Sequence, residues 1–453
     1  MDRLMELNGI INEFVWGPPM LILLVGTGIY LTLRTNFFSI TKLGYILKNT
    51  LMKMFEKGQG GEGEVTAFQA VATALAATVG TGNIAGVATA IAIGGPGAIF
   101  WMWVSAIFGM TTKYAEVVLS IKYREKTEDG RFVGGPMYYI TNGLKWKWLA
   151  YIFAIFGALA AFGIGNMVQS NSIAASLEVT FGVSKLVTGI VVAAISAVVV
   201  VGGIKRIAQV TEKLVPVMAA FYIIGGLVII IINAAHIPEA FKLIFGSAFT
   251  GSAAVGGFAG STLSIAMRRG VARGVFSNEA GLGSAPIAHA AATTDHPVRQ
   301  GLWGVFEVFI DTIVICSITA LSIITSGVWN GGETGAALTT QAFSHGLPGN
   351  WGGIIVSIGI LLFAFSTILG WEYYGERCAE YLFGSKVNFV YRILWIPFIV
   401  IGAVGGLNDL WDLADTLNGL MAIPNLIGVA ALSGVVIKLT KEFFASEKAL
   451  GNK

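Results

Sequence analysis

Two stretches of this chain set glycine beside small polar residues inside otherwise apolar sequence. One is Ala76-Ala77-Thr78-Val79-Gly80-Thr81-Gly82-Asn83. The other is Gly274-Val275-Phe276-Ser277-Asn278-Glu279-Ala280-Gly281-Leu282-Gly283-Ser284-Ala285-Pro286. Glycine lets the backbone leave the helical region without a Cβ penalty, so each stretch can interrupt a helix. An interruption exposes the N–H groups of one half-helix and the C=O groups of the other. Amides at a helix start hold an anion, and released carbonyls hold a cation. The chemistry on offer is recognition by backbone dipoles, without bond-making. Each stretch also has a plainer reading: close helix packing by small residues for the first, a loop between two short helices for the second.

Other polar groups sit where apolar sequence surrounds them. The run 148–178 carries Gly163, Gly165, Asn166, Gln169 and Asn171. Gln169 follows Gly165 by one helical turn, on the same face. Gly165 can therefore make room while Gln169 binds, although an interhelical hydrogen bond accounts equally well for a buried amide. Trp371 shares a face with Thr367, four residues before it, so its ring either walls a pocket or packs in the core. Phe276 is a second candidate wall. Glu116, Glu279, Glu307, Asp311 and Glu372 are acids within apolar runs, with Arg268, Arg269 and Arg273 as candidate partners. A pair between an arginine and an acid can gate a pathway, and a buried carboxylate can carry a proton. His236, His289, His296 and His345 are scattered without metal-ligand spacing. No nucleophilic triad, phosphate-cradling loop or zinc motif appears, so the sequence gives no enzyme chemistry.

The elements that must position these groups are membrane helices. Of 453 residues 55% are hydrophobic and only 12% charged, about half the charge of a soluble domain. Runs of roughly 20 apolar residues fall near 14–33, 66–93, 97–121, 148–178, 184–203, 214–235, 301–326, 350–376, 388–407 and 413–437. The irregular stretch 250–294 adds one broken helix, giving about eleven spans. The basic loop 34–65, with Arg34, Lys42, Lys48, Lys53 and Lys57, sets orientation by the positive-inside rule. Alternation then also places 122–147, 204–213, 295–300, 377–392 and the C-terminal tail inside, leaving Arg3, Lys185 and Lys242 outside. The N-terminus is expected outside and the C-terminus in the cytoplasm. A net charge of +3 suggests no nucleic-acid partner. Cys316 and Cys378 read as two inert buried thiols, and no cleavable signal peptide is evident before Asn12. With 14–33 set aside, the two glycine-rich breaks fall in the first and sixth of ten helices. Equivalent positions in two five-helix halves are the signature of an inverted repeat, which favours the functional reading of both.

The run Gly94-Gly95-Pro96-Gly97-Ala98-Ile99-Phe100-Trp101-Met102-Trp103-Val104-Ser105-Ala106-Ile107-Phe108-Gly109 closely resembles the signature of the alanine/glycine:cation symporter family. Its own role reads as aromatic belt and packing in the second core helix. The GTGN and SNEAGLGSAP segments, and Ser366 to Glu376, look like that family too, over about residues 60–430. The resemblance implies sodium-coupled, sometimes proton-coupled, uptake of alanine or glycine. It also implies the ten-helix inverted-repeat fold of the neurotransmitter-sodium symporters, with no organic cofactor. An all-α membrane protein is expected: an extra helix and loop over 1–60, the transporter core over 61–440 and a cytoplasmic tail over 441–453, acting as a monomer in the cell membrane. Val79-Gly80-Thr81-Gly82-Asn83 matches the string at which that fold unwinds its first core helix. Carried over, its sodium site falls on the carbonyls of Ala76, Val79 and Phe363 and the hydroxyls of Ser366 and Thr367. Back-bonding to their own helix is the ordinary fate of such hydroxyls. A zwitterionic substrate then sets its carboxylate against amides near Thr81, Gly82 and Asn83. Its ammonium meets carbonyls near Thr78, Phe276 and Ser277, with Asn278 as a further polar contact. Trp371, Gly165 and Gln169 complete a pocket sized for alanine or glycine. A passive channel and an intramembrane enzyme are the competing classes; the first lacks a repeated pore motif, the second convergent catalytic groups.

Overall fold

A computed structural model describes residues 2–54, 60–250, 259–405 and 408–449. Among these, eight helices are long and apolar enough to cross a membrane: Met5–Arg34, Gly97–Tyr123, Lys147–Phe181, Gly203–Ile232, Pro297–Thr325, Trp351–Phe383, Val387–Val404 and Asp412–Ala431. A ninth crossing is the pair Ala67–Thr78 and Gly82–Gly94, bent by 51°. The remaining two expected spans fall short of that measure. One is Lys185–Val200, apolar but 16 residues long. The other is the interrupted pair Ala259–Asn278 and Ala285–His289. The protein is thus an all-α membrane protein, with eight helices of sufficient length and composition among the described residues, nine crossings when the bent pair is taken as one span.

Local chemistry sets many of the boundaries. Thr66 and Gln69 form a reciprocal capping box before Ala67, which satisfies two orphan amides at the helix start. Pro18, Pro136 and Pro297 stand in the first turns of their helices, where proline's missing N–H costs nothing. Gly182, in the left-handed conformation, ends Lys147–Phe181. Gly203–Ile232 and Val387–Val404 turn large apolar residues outward, among them Ile224, Ile231, Phe389 and Ile393, as helices facing hydrocarbon must.

Several loop expectations need correction. The 204–213 segment is helical, because Gly203–Ile232 begins before its apolar part. Most of 377–392 is helical as well: Trp351–Phe383 runs on through Glu376, Arg377 and Glu380, and Val387–Val404 starts soon after. A hydropathy reading ends a span at its first charges, whereas the helix continues wherever those charges find partners. Within 122–147 lies a short antiparallel hairpin, Glu125–Lys126 against Phe132–Val133. Of 250–294, the described part is irregular mainly at 279–284. Both cysteines are free and buried. Trp101 and Trp103 hydrogen-bond the Ala248 carbonyl and the Ser317 hydroxyl, a packing role for the Trp-rich helix.

Candidate functional site

The first break is made by side chains that take over backbone bonds. The last regular bond of Ala67–Thr78 runs from the Val79 N–H to the Leu75 carbonyl, 2.8 Å. The next donor in line, the Gly80 N–H, turns instead to Asn83 Oδ1 at 2.9 Å, and the Asn83 N–H goes to the Gly80 carbonyl. The carbonyls of Ala76 and Val79 therefore lose their helical donors. Ala76 O meets Ser366 Oγ at 3.0 Å and Thr367 Oγ1 at 3.2 Å. The same hydroxyls lie 2.8 and 3.0 Å from the Phe363 carbonyl. Four of the five oxygens assigned to sodium thus form one buried cluster, joined across two helices. The own-helix bonding of both hydroxyls is also present, at Phe363. Gly80 is required at the junction, since a Cβ there would stand 2.6 Å from Thr367 Oγ1.

The second break follows the same logic. Ala280 N–H bonds Asn278 Oδ1, and Gly281 N–H bonds Glu116 Oε1 at 3.1 Å. The carbonyls of Phe276 and Ser277, four residues earlier, are left to other partners. Glu279, Gly281 and Gly283 all have positive φ; for glutamate that conformation is strained. The two breaks touch: a Cβ on Gly82 would meet Ser277 Cα at 3.2 Å and Phe276 Cδ1 at 3.3 Å. Asn278 bonds at both ends of its amide, Nδ2 donating to Thr312 Oγ1 at 3.0 Å and Oδ1 accepting from the Ala280 N–H, so it helps to hold the break together.

Asp311 joins the two breaks. Its carboxylate accepts from Asn83 Nδ2 at 2.7 Å, Ser277 Oγ at 2.9 Å and Thr312 Oγ1 at 2.7 Å. The group is fully buried. Sequence alone marked Asp311 only as one acid among several. Asp311→Ala would strand three buried donors, at about 1–3 kcal/mol for each that stays unpaired. We expect this variant to lose alanine binding and to unfold at a lower temperature in detergent. A melting curve and binding isotherm matching the parent would refute the bridging role.

Gly165, Gln169 and Trp371 meet at one place. Gly165 lies in a wider turn over Ala161–Met167, and a Cβ on it would be 2.1 Å from Trp371 Cβ. Trp371 donates through Nε1 to Glu279 Oε1 at 2.8 Å. Gln169 gives its Nε2 to the Ile164 carbonyl, while its buried Oε1 has no partner. That oxygen lies 3.6 Å from a Cβ position on Gly80, an unused acceptor beside the first break. A cavity of about 210 Å³ lies nearby, lined by Thr81, Gly82 and Phe276 and by Arg273, Asp412 and Asp415; Gly165, Gln169 and Trp371 do not line it.

The opposite end carries ion pairs that the sequence reading missed. Arg131 of the hairpin binds Glu380 at 2.8 Å, Arg377 binds Glu376 and Glu380, and Arg392 binds Glu376. Arg131 also holds the Asp129 carboxyl at about 2, below the usual carboxylate range, chiefly by hydrogen bonding. A cavity thus lies beside Asp412 and Asp415 at one end, and ion pairs tie the hairpin and two helices together at the other, around a second cavity of about 260 Å³.

Two broken helices crossing mid-bundle, backed by an oxygen cluster, define a secondary-transporter site, and comparison with known structures agrees on the fold. MhsT in complex with L-phenylalanine superposes with a TM-score of 0.58 at 14% identity, over 82% of this chain and 90% of that one. A substrate-bound, outward-open Na+-coupled sialic acid symporter gives 0.56 at 14% identity, over 93% and 98%. The model of the sodium:alanine symporter family matches residues 1–453. The sodium/alanine symporter AgcS of Methanococcus maripaludis is 54% identical over 96% of both chains. The probable sodium/glutamine symporter GlnT of Bacillus subtilis is 40% identical over 99% of this chain and 93% of its own. The chain belongs to the sodium:alanine symporter family; it is a transporter of that fold, not an enzyme.

Proposed function

We propose that this protein takes up alanine and glycine together with sodium, by alternating access. The observation that carries the proposal is the released Ala76 carbonyl faced by Ser366, Thr367 and the Phe363 carbonyl. Hard cations take oxygen ligands, and neutral oxygens suit a monovalent ion. Sodium at this cluster, with the Val79 carbonyl as fifth ligand, would pin the first break to Trp351–Phe383 and order the pocket beside it.

The substrate carboxylate is assigned to the amides at the start of Gly82–Gly94, near Thr81, Gly82 and Asn83, where the helix dipole favours an anion; the Asn83 N–H, bonded to the Gly80 carbonyl in this conformation, would have to be released to join them. The ammonium is assigned to the carbonyls near Thr78, Phe276 and Ser277 and to Gln169 Oε1. Trp371 and Phe276 leave room only for a small side chain. Closure at the Asp412 end would bring Arg273, whose guanidinium lies 5.5 Å from the centre of the Phe276 ring, against Asp415. We take the unit as a monomer, with its N-terminus outside and the Arg131 end in the cytoplasm.

The test is radiolabelled alanine uptake into proteoliposomes. Uptake that requires an inward sodium gradient, is not supported by potassium and is competed by glycine is expected. Uptake indifferent to sodium but driven by a pH gradient would overturn sodium coupling while leaving the fold in place. No uptake of any small amino acid would overturn the substrate assignment. Asp415→Asn should slow uptake several-fold by weakening closure, and an unchanged rate would remove Asp415 from the gate.

A further inference from the structure

Among the described residues, the membrane-spanning helices and the second break bury seven acids, and six of them have donors, Glu380 through Arg131 and Arg377. Asp311 accepts from three side chains, as described above. Glu307 takes Lys113 Nζ and His289 Nε2, each at 3.1 Å. Glu116 accepts from Gly281 N–H and Asn425. Glu279 accepts from Trp371 and Ser284. Glu376 is paired with Arg377 and Arg392. Glu372 stands apart: it is 1% exposed, and neither of its oxygens meets a donor.

An ionised carboxylate so placed would cost several kcal/mol of uncompensated desolvation. A protonated carboxyl has no such charge and needs one acceptor for its O–H. Glu376, four residues on and on the same face, supplies a carboxylate oxygen. The charged groups facing Glu372 are Glu376 and Arg377 of its own helix and Arg392 of Val387–Val404. Both arginines are already committed to Glu376. From Val387–Val404 the Tyr391 phenol also faces it, donating at 2.9 Å to the Ala158 carbonyl. Lys147–Phe181 meets this stretch through that carbonyl and the Ala161 methyl, whose carbon lies 2.7 Å from a Cβ position on Gly375.

We propose that Glu372 is a proton-binding site: it holds a proton in this conformation and releases it when the ion pairs at the Arg131 end part. On release the O–H bond breaks, the electron pair stays on the carboxylate, and the proton passes to water entering between Arg131 and Glu380. Arg377 or Arg392, freed from Glu376, then balances the new charge. The proton thus becomes a second ligand of the transport cycle, bound away from the sodium and substrate positions.

Infrared difference spectroscopy on the purified full chain tests this without any transport. At neutral pH the parent should show the C=O stretch of a protonated carboxyl, and Glu372→Gln should lose it. A parent without that band, or a band that survives in Glu372→Gln, overturns the proposal. Should Glu372→Gln fail to insert, Glu376→Gln takes the carboxylate partner away from Arg377 and Arg392, frees them for Glu372 and should diminish or shift the band; an unmoved band likewise overturns it. In proteoliposomes loaded with a pH indicator, alanine influx should move protons in the parent. Protons moved per alanine should fall to background in Glu372→Gln, and an unchanged ratio overturns the coupling. Because the spectroscopic arm needs no substrate, its failure is distinct from failure of the sodium–alanine reading.

Discussion

Gly165→Ala should raise the KM for alanine by roughly tenfold or more, and Gly165→Leu should abolish uptake in a protein that still reaches the membrane. A Cβ at position 165 would fall 2.1 Å from Trp371 Cβ and 2.4 Å from its Cγ. Both atoms lie at the root of the side chain, so no rotamer of Trp371 relieves the clash; the two helix backbones have to part. Trp371 has little freedom to follow. Its indole N–H is tied to Glu279, and its ring packs edge-on against Tyr374 at 5.6 Å. Overpacking of this kind costs about 1–3 kcal/mol, and ~1.4 kcal/mol is a factor of ten in affinity. The cost would fall on the pocket rather than on global folding, because the wider turn at Ala161–Met167 is already a departure from regular helix. Uptake kinetics together with a membrane-fraction blot decide the matter. Normal uptake by Gly165→Leu would remove this position from the pocket.

The breaks were legible because glycine and asparagine write backbone geometry into sequence. Gly80 marks where a Cβ would collide with Thr367, Gly82 marks where the two breaks pack tightly, and Asn83 turns out to be the residue that captures the Gly80 amide. Their placement in matching halves then raised both from packing motifs to a site. The grip of Asp311 on both breaks was not legible. Its bond to Asn83 joins residues 228 positions apart, and no local pattern predicts which of several buried acids will make it. The Arg131–Glu380 and Arg392–Glu376 pairs were hidden for a different reason: charge at the end of an apolar run reads as a loop. There the helix persists, because each charge is neutralised by a neighbour on another element. Asn278 shows a role that the sequence did not suggest: its amide bonds Thr312 and the Ala280 N–H across the break itself. The positive φ of Glu279, and its use as an anchor for Trp371, likewise emerge only once the second break is folded.

Thr367→Ala is expected to raise the sodium concentration needed for half-maximal uptake by on the order of tenfold, equivalent to ~1.4 kcal/mol, with the maximal rate less affected. Thr367→Ser should behave like the parent. The two hydroxyls both reach Ala76 as well as their own helix. Back-bonding alone would explain why Ser366 and Thr367 reach the Phe363 carbonyl. It does not explain why they also converge on a carbonyl of another helix, 290 and 291 residues away. That carbonyl is available only because the Gly80 amide has turned to Asn83. Each hydroxyl has one hydrogen and two lone pairs, so a cation among these oxygens would displace hydrogens while keeping every oxygen in place. Removing the Thr367 hydroxyl takes one ligand from the ion but leaves the break, the pocket and the Asp311 bridge intact. A structural role predicts something else: a lower melting temperature with unchanged sodium dependence. Uptake measured across a sodium titration, alongside thermal unfolding in sodium and in potassium, separates the two. Sodium should raise the melting temperature of the parent and of Thr367→Ser by more than that of Thr367→Ala. An unaltered sodium titration in Thr367→Ala would sink the ion site as drawn and return the hydroxyls to helix packing.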